Sequence, residues 1–516
     1  MSRARHFIRN ISSGYLLLLA NMVYVVVSVP LALRYLTREQ FGLWELMFDI
    51  TSYLTLIDLG TTPSVSRLLI DHKDRPNDGE YGGLIQTGGL VLVCQGLIIL
   101  VVGLLGSPAA SQLLRIPPPL KVSFVRLLRW QCTIMAAGYI TRVFAQVLYA
   151  HQLIDGLNLV QVGLTGLSLV VLWAGFHFGA GVYSVLWANA TVSLLLALAQ
   201  VGFCLRLGRL LPEKGCWGRP SWEKFKALFQ YGKDVFQVAV GRQLTMASQT
   251  LVISRTLGLG AVAAWSVGTR AFNLLCQLIW RIFDFSEPVF SEMVVRGEWD
   301  RLRDRFRSIT MVSASLAGAA AVVFALCNAA FVQVWTAGKI TWPMRCDLLL
   351  GVWLIVLVLG RCHGAMVFVS KKIGLMRSIY FIEGVVFLCL AFLVASRGGL
   401  PAILAVSILC SISFSGACGL RHTVTFLHFT PKEILWDWLW PMARIILVVT
   451  PAVLVIGWVL WPLATLARLV IAGTLAGAVA AGALVRFGVP DDLKAEALRQ
   501  GPEWVSRLLR RLFGAA

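Results

Sequence analysis

Five polar residues recur at helical spacing within one otherwise apolar stretch. They are Arg270, Asn273, Gln277, Arg281 and Asp284, separated by 3, 4, 4 and 3 positions, and this spacing places them on one face of a helix. An ionisable side chain at mid-membrane costs at least about 2.5–3.5 kcal/mol. Such a face therefore lines a water-filled cavity or packs against a polar partner. Arginine favours an anionic ligand there, because its planar fork donates paired hydrogen bonds to phosphate.

Other apolar stretches carry cations as well. The stretch before the one just described has Arg242, Thr245 and Gln249 on one face, and cations close to one aqueous cavity favour an anionic ligand. For Arg281 and Asp284, near the end of their stretch, snorkelling or a plain salt bridge is the alternative. The candidate substrate-binding residues are Arg270, Arg242, Arg361, Arg142, Asn273, Gln277 and Arg281.

The composition indicates the environment of these residues. The chain has 516 residues, of which 58% are hydrophobic and 14% charged, whereas a soluble domain carries roughly a quarter charged residues. The apolar stretches are long enough to cross a hydrocarbon core of about 30 Å. We therefore predict an all-α polytopic membrane protein with about fourteen spans, at 12–35, 41–63, 81–106, 124–150, 157–177, 183–205, 233–256, 261–288, 308–334, 345–370, 378–396, 401–427, 441–461 and 463–486.

The chain is strongly basic, with 46 Lys and Arg against 26 Asp and Glu. Most of these cations are scattered over short loops and are enriched in alternate loops, above all at 206–233 and 296–307. This asymmetry follows the positive-inside rule and predicts that both termini are cytoplasmic. It explains the net charge without a nucleic-acid partner.

The chain also contains a long internal repeat. An Arg-x-Leu tripeptide at Arg34, followed by Trp44, recurs at Arg255 and Trp265, 221 positions later, and the hydropathy pattern follows the same offset. Six helices per repeat give both copies the same orientation, so the pseudo-twofold axis runs along the membrane normal. The predicted organisation is an N-lobe at 1–205, a cytoplasmic linker with an interfacial helix at 206–232, a C-lobe at 233–427, helices thirteen and fourteen at 428–486, and a basic cytoplasmic tail at 487–516.

No constellation of catalytic residues is present. The sequence lacks a phosphate-binding P-loop, a nucleophile elbow and a zinc-protease helix, and the loops are too short for a nucleotide-binding domain. The eleven cysteines lie mostly in apolar runs without the spacing of metal ligands. We therefore predict no enzymatic activity, no cofactor and no metal site.

Several motifs resemble those of a known superfamily. The segment from Arg34 to Trp44, followed by Asp58-Leu59-Gly60, resembles the opening of bacterial polysaccharide flippases. These are the Wzx-like and polysaccharide-transporter members of the multidrug/oligosaccharidyl-lipid/polysaccharide (MOP) superfamily. The W-x-x-G sequence at 335–338 is similar to a turn that recurs in this family.

The resemblance implies two six-helix bundles that operate by alternating access in the bacterial inner membrane. Their usual cargo is an oligosaccharide on undecaprenyl pyrophosphate, moved from the inner to the outer leaflet, and the cationic cavity would hold its pyrophosphate and sugar. Candidate partners are a polysaccharide polymerase or glycosyltransferases. Asp49, Asp58 and Glu383 are candidates for ion coupling.

Three alternatives remain at the level of sequence. A multidrug exporter of the same superfamily should have a net acidic cavity, whereas this one is net basic. A lipid II flippase shares the fourteen helices and the cationic cavity. A scaffold that assembles polysaccharide enzymes has little need to hold charge in the bilayer core.

Overall fold

The computed structural model describes residues 3–151, 153–206, 210–370, 374–460, 464–490 and 493–494, and side chains from Ser12 onward except those of 231–235, 238, 242, 285 and 288. Most of the predicted tail at 487–516 therefore lies outside the described residues. The described part is almost entirely helical and contains no strand, which confirms the predicted all-α class. The chain divides into two compact units, Met1–Ala263 and Ala264–Ala516.

The first unit is built from nine helices and the beginning of a tenth. They are α1 (Arg3–Tyr35), α2 (Arg38–Leu54), α3 (Thr61–His72), α4 (Glu80–Leu113), α5 (Pro118–Ala150), α6 (Ile154–His177), α7 (Ser184–Arg206), α8 (Trp222–Met246), α9 (Ser248–Leu257) and α10 (Leu259–Gly268). Helix α5 packs against α4, α3, α7 and α2, whereas α1 packs against α6.

The second unit continues the series after Gly268. Its helices are α11 (Arg270–Arg296), α12 (Trp299–Trp335), α13 (Met344–Val369), α14 (Gly374–Ser411), α15 (Ala417–Leu427), the single turn α16 (Pro431–Glu433), α17 (Trp440–Val459) and α18 (Thr465–Ala483). Helix α12 contacts α11, α13, α17 and α18 and forms the centre of this unit. Short π-helical segments occur at Ile412–Gly416, Ile434–Leu439 and Leu484–Gly488.

The predicted number of spans is not confirmed. In the described part of the chain, nine helical runs are long and apolar enough to cross a membrane, and one of them, Gly374–Leu427, covers two predicted spans. The predicted spans at 41–63, 124–150, 233–256 and 261–288 are not among these runs. Helices α2 and α9 are short, with 17 and 10 residues, and the longer α5 and α11 carry several charges.

Backbone geometry interrupts three of the predicted spans. Span 41–63 is broken where Leu59 and Gly60 adopt left-handed conformations, with φ of 49° and 74°. Span 233–256 is broken at Ala247, and span 261–288 at Thr269. A helix does begin within the predicted linker, after Ser221, whose side chain accepts from the Lys224 amide at 3.2 Å, and its interfacial position stays a prediction. It continues to Met246, past the predicted linker boundary.

Several helix bounds recur at the offset found in the sequence. Shifted by 221 positions, α4 would occupy 301–334, and α12 runs from Trp299 to Trp335. The last residues of α7 and α15, Arg206 and Leu427, are also 221 apart. These helix bounds are consistent with the predicted repeat, which itself stays a prediction.

The motif around Trp44 has a structural basis at the start of α2. Thr37 and Gln40 form a reciprocal capping box, with the Gln40 amide 3.2 Å from Thr37 Oγ1 and the Thr37 amide 3.0 Å from Gln40 Oε1. Gly42 packs directly on the first turn of α10, because a Cβ at Gly42 would lie 2.0 Å from the Leu259 carbonyl oxygen. This glycine therefore permits a close approach of two helices.

Replacing Gly42 by alanine is expected to destabilise the protein by about 1–3 kcal/mol, since the new methyl group collides with backbone that cannot rotate away. The matched control is Gly138→Ala on α5, where a Cβ meets nothing within 4 Å and alanine favours the helix. Thermal unfolding of both variants in detergent measures the difference. Equal unfolding temperatures would show that the α2–α10 contact is not required.

Candidate functional site

Helix α11 is amphipathic, and its two faces are clearly separated. Phe272, Cys276, Ile279 and Phe283 are buried at 3% exposure or less and point into the second unit. Asn273, Gln277 and Arg281 are exposed along a neighbouring face, after the partly buried Arg270 at the first residue of the helix. The structure thus places four candidate residues on one side of α11; we call this group the α11 polar stripe.

Asp284, the fifth residue at this spacing, forms an ion pair. Its Oδ1 lies 2.5 Å from Nη2 of Arg361 on α13, and the two side chains are 31% and 25% exposed. The carboxylate therefore offsets part of the Arg361 charge. A guanidinium has five N–H donors, so this bond leaves donors of Arg361 for a second acceptor.

The remaining cationic candidates lie in the first unit. Arg142 on α5 is partly buried, and its guanidinium carbon lies 4.8 Å from the centre of the Tyr139 ring, one turn earlier. This cation–π contact holds the side chain against the helix. Arg242 belongs to α8, but its side chain lies outside the described residues. Its predicted companions Thr245 and Gln249 are buried on either side of the break at Ala247.

The two acidic candidates in the first unit are Asp58 and Asp49, and the Asp58 carboxylate has a local role. Asp58 is buried where α3 begins, and its two carboxylate oxygens accept from the Thr62 hydroxyl at 2.6 Å and from the Thr62 amide at 3.2 Å. It therefore satisfies donors of the first helical turn. Asp49 is partly buried on α2, and its carbonyl oxygen accepts from the Ser52 hydroxyl at 2.7 Å.

The acidic candidate in the second unit faces an irregular piece of helix. Glu383 on α14 is 2% exposed, and its Oε2 accepts from the Ser415 amide at 3.1 Å. Ser415 belongs to the π-helical segment Ile412–Gly416. The bond supplies an acceptor to an amide in this irregular segment.

The sequence pattern did not predict a buried polar cluster at the end of α10, two residues before Arg270. Asp347 and Asn328 are 0% and 2% exposed, and Asn328 Nδ2 donates to Asp347 Oδ1 at 2.6 Å and to the Gly268 carbonyl at 3.0 Å. Trp342 Nε1 donates to the same Asp347 oxygen at 2.6 Å. The cluster therefore fixes the end of α10, two residues before Arg270. Asp347 lies close to the beginning of the predicted span at 345–370, where a charged residue is not unusual. The burial of both Asp347 and Asn328 is what identifies the cluster.

A second unpredicted set of bonds surrounds the break between α8 and α9. The Tyr53 hydroxyl donates to the Gln243 carbonyl at 3.1 Å and is hydrogen-bonded to the Ser248 hydroxyl. Gln243 Nε2 donates to the Ser52 hydroxyl at 2.5 Å. These bonds join α2 to both sides of the break within the first unit.

The residue types that commonly bind metals were compared in the part of the chain that the structure describes. It brings no three His, Cys, Asp or Glu side chains together as ligands among those residues, and the eleven cysteines are free thiols. His363 packs between Phe306 and Trp438, with ring centres 5.9 and 5.3 Å away, and is a core residue.

The fold is that of membrane transporters of the MOP superfamily, and the chain is a multi-pass membrane protein. An inward-facing multidrug resistance MATE family transporter aligns with a TM-score of 0.64 at 15% identity, covering 79% of this chain and 95% of its own. The lipid II flippase MurJ, in an inward closed conformation, aligns with a TM-score of 0.63 at 12% identity, covering 94% of this chain and 99% of its own. A MOP superfamily transporter from Pyrococcus furiosus gives 0.59 at 15% identity, covering 82% and 96%.

The sequence comparison defines the family more narrowly. Residues 7–294, more than half of the chain, match the model of the polysaccharide biosynthesis protein family, and the chain belongs to this family. No curated relative matches the sequence. The three structural relatives are two transporters and a flippase.

Proposed function

We propose that the protein is a flippase that moves a polyprenyl-pyrophosphate-linked oligosaccharide from the inner to the outer leaflet by alternating access. The observation that carries this proposal is the α11 polar stripe, on which Asn273, Gln277 and Arg281 are exposed on a helix whose other face is buried. Two arginines and two amides can bind pyrophosphate and sugar hydroxyls respectively. Membership in the polysaccharide biosynthesis family supports a glycan cargo.

The charge of the stripe distinguishes this cargo from a cationic drug. Arg270 and Arg281 are basic, and the nearest acid on that face, Asp284, is engaged by Arg361. A cationic ligand would meet like charge here, which costs binding energy. An anionic diphosphate would be attracted.

A lipid II flippase is the second candidate, and one observation favours it. The alignment with MurJ covers 94% of the chain, whereas the alignment with the MATE transporter covers 79%. MurJ therefore shares more of this fold, and the cargo named for it, lipid II, supports a lipid-linked substrate as the second candidate. The two flippase candidates differ in the glycan, which is why the experiment must identify the accumulated lipid.

We further propose that the protein lies in the bacterial inner membrane with both termini in the cytoplasm, as the distribution of basic loops predicts. A polysaccharide polymerase or glycosyltransferases would be its partners in synthesis. Three further arginines would contribute positive charge to the substrate-binding site, namely Arg142, Arg242 and Arg361. Asp49, Asp58 and Glu383 stay candidates for ion coupling.

The test is a strain that lacks this gene, in which lipid-linked oligosaccharide is assigned to a leaflet with a membrane-impermeant probe. We expect accumulation in the inner leaflet and rescue by the wild-type gene. Accumulation of lipid II instead would favour the second candidate. Normal export in a strain without a second flippase would overturn the proposal, and a scaffold would then be tested by co-purification of polysaccharide enzymes.

A further inference from the structure

A basic groove lies on the surface of the first unit. It is formed by the beginning of α5 and the end of α4, and its walls carry Lys121, Arg126 and Arg129 together with Leu104, Val122, Val125, Trp130 and Thr133. None of these side chains is acidic. Arg126 and Arg129 are three positions apart and are therefore neighbours on the surface of α5, whereas Lys121 lies in the first turn of the same helix.

Two of the cations have no partner, and the third is oriented. Within the part of the chain that the structure describes, the side chains of Lys121 and Arg126 form no hydrogen bond or ion pair. Arg129 Nε donates to the hydroxyl of the buried Ser107 on α4 at 3.1 Å. This bond fixes the guanidinium plane and leaves its two terminal amino groups for a ligand.

The walls of the groove are apolar and exposed. Val122 is 67% exposed, Trp130 57% and Leu104 41%. Ser107 lies six residues before the end of α4, which is about 9 Å along a helix. Tryptophan and arginine at this depth are typical of the boundary between headgroups and acyl chains.

In the proposed topology, the three cations lie on the side of the membrane where basic residues are usually rare. In the proposed topology this end of α5 is extracytoplasmic, and the positive-inside rule disfavours basic residues there. Three of them nevertheless occur within the first twelve residues of α5. A ligand that requires positive charge at this place accounts for them.

We infer that the groove binds the phosphate headgroup of an anionic membrane phospholipid, with one acyl chain along Leu104, Val122 and Trp130. A soluble phosphate would have no use for the apolar wall. A resident lipid fits better than the cargo, because an exposed lateral groove equilibrates with the most abundant anionic lipid of the bilayer. The inference is independent of the proposed transport function, and only the leaflet rests on the proposed topology.

The test uses the full-length protein and native mass spectrometry with phosphatidylglycerol and phosphatidylcholine. We expect wild type to retain phosphatidylglycerol more strongly, and Arg126→Gln/Arg129→Gln to lower that affinity about tenfold, since each cation near the surface contributes to binding of anionic lipid. The matched control is Arg345→Gln/Arg397→Gln, which removes the same charge from exposed positions elsewhere. Arg126→Lys/Arg129→Lys should keep most of the affinity.

Three results would overturn the inference. The first is equal retention of the two lipids by wild type, and the second is an equal loss in the Arg345/Arg397 control. The third is displacement of phosphatidylglycerol by a stoichiometric amount of polyprenyl pyrophosphate, which would assign the groove to the cargo. Circular dichroism and size-exclusion chromatography establish that each variant is folded.

Discussion

Arg270→Ala is expected to lower transport of the lipid-linked oligosaccharide about 100-fold while the protein still folds. A guanidinium donates two charge-assisted hydrogen bonds to a phosphate, each worth about 1.5–3 kcal/mol, and tenfold in affinity corresponds to about 1.4 kcal/mol. Arg270 is the first residue of the α11 polar stripe and is partly buried, so water replaces its bonds poorly. The measurement is leaflet-resolved rescue of the strain that lacks the gene.

Two further variants serve as controls for the Arg270→Ala prediction. Arg270→Lys keeps the charge but loses the planar fork and should give an intermediate rate. Arg345→Ala removes an exposed arginine at the beginning of α13 and should transport normally. Wild-type transport by folded Arg270→Ala would exclude this residue from the binding site. A loss of folded protein in Arg270→Ala but not in Arg270→Lys would indicate a structural role.

Asp347→Ala is expected to destabilise the protein by about 2–3 kcal/mol, because the buried Asn328 and Trp342 donors lose their common acceptor. Asp347→Asn should have a smaller effect. Both donors bond to Oδ1, and Oδ2 has no hydrogen-bond partner among the described residues. An asparagine oxygen at the Oδ1 position keeps both bonds, whereas the amide group that replaces Oδ2 is buried, so we expect a loss of stability that is smaller than that of Asp347→Ala.

Thermal unfolding in detergent measures both Asp347 variants, with Asp300→Ala as a control at an exposed acidic position on α12. A loss of stability in Asp347→Asn as large as that in Asp347→Ala would show that the two bonds to Oδ1 do not stabilise the protein. The transport activity of the two Asp347 variants is a second measurement. Because the cluster holds Gly268, two residues before Arg270, Asp347→Ala should also reduce transport, whereas a stable but inactive Asp347→Asn would give the carboxylate a direct part in the cycle.

Transport and lipid binding are separable in these experiments. Substitutions at Arg126 and Arg129 change the basic groove of the first unit, whereas those at Arg270 change the α11 polar stripe. Loss of phosphatidylglycerol with normal transport would assign the groove a supporting role. Loss of both would connect the lipid environment to the cycle.

Features that depend on neighbouring residues along one helix follow from the amino-acid sequence alone. Spacing of 3 and 4 residues was enough to predict the α11 polar stripe, because residues so spaced share a face in any helix. Composition predicted a helical membrane protein, and a helix predicted within 206–232 does begin there, after Ser221, whose capping bond joins residues only three positions apart. The motif beginning at Arg34 indicated the superfamily whose fold the chain has.

Contacts between residues that are distant along the chain depend instead on how the helices pack. Asp284 pairs with Arg361 across 77 positions, and Asn328 reaches Gly268 across 60. Such bonds depend on the rotation and spacing of packed helices, which hydropathy does not specify. The left-handed residues at Leu59 and Gly60, which divide a predicted span into two helices, follow in the same way from packing and capping rather than from apolar length. Sequence thus specified which faces are polar, and packing specified which polar groups remain available to a ligand.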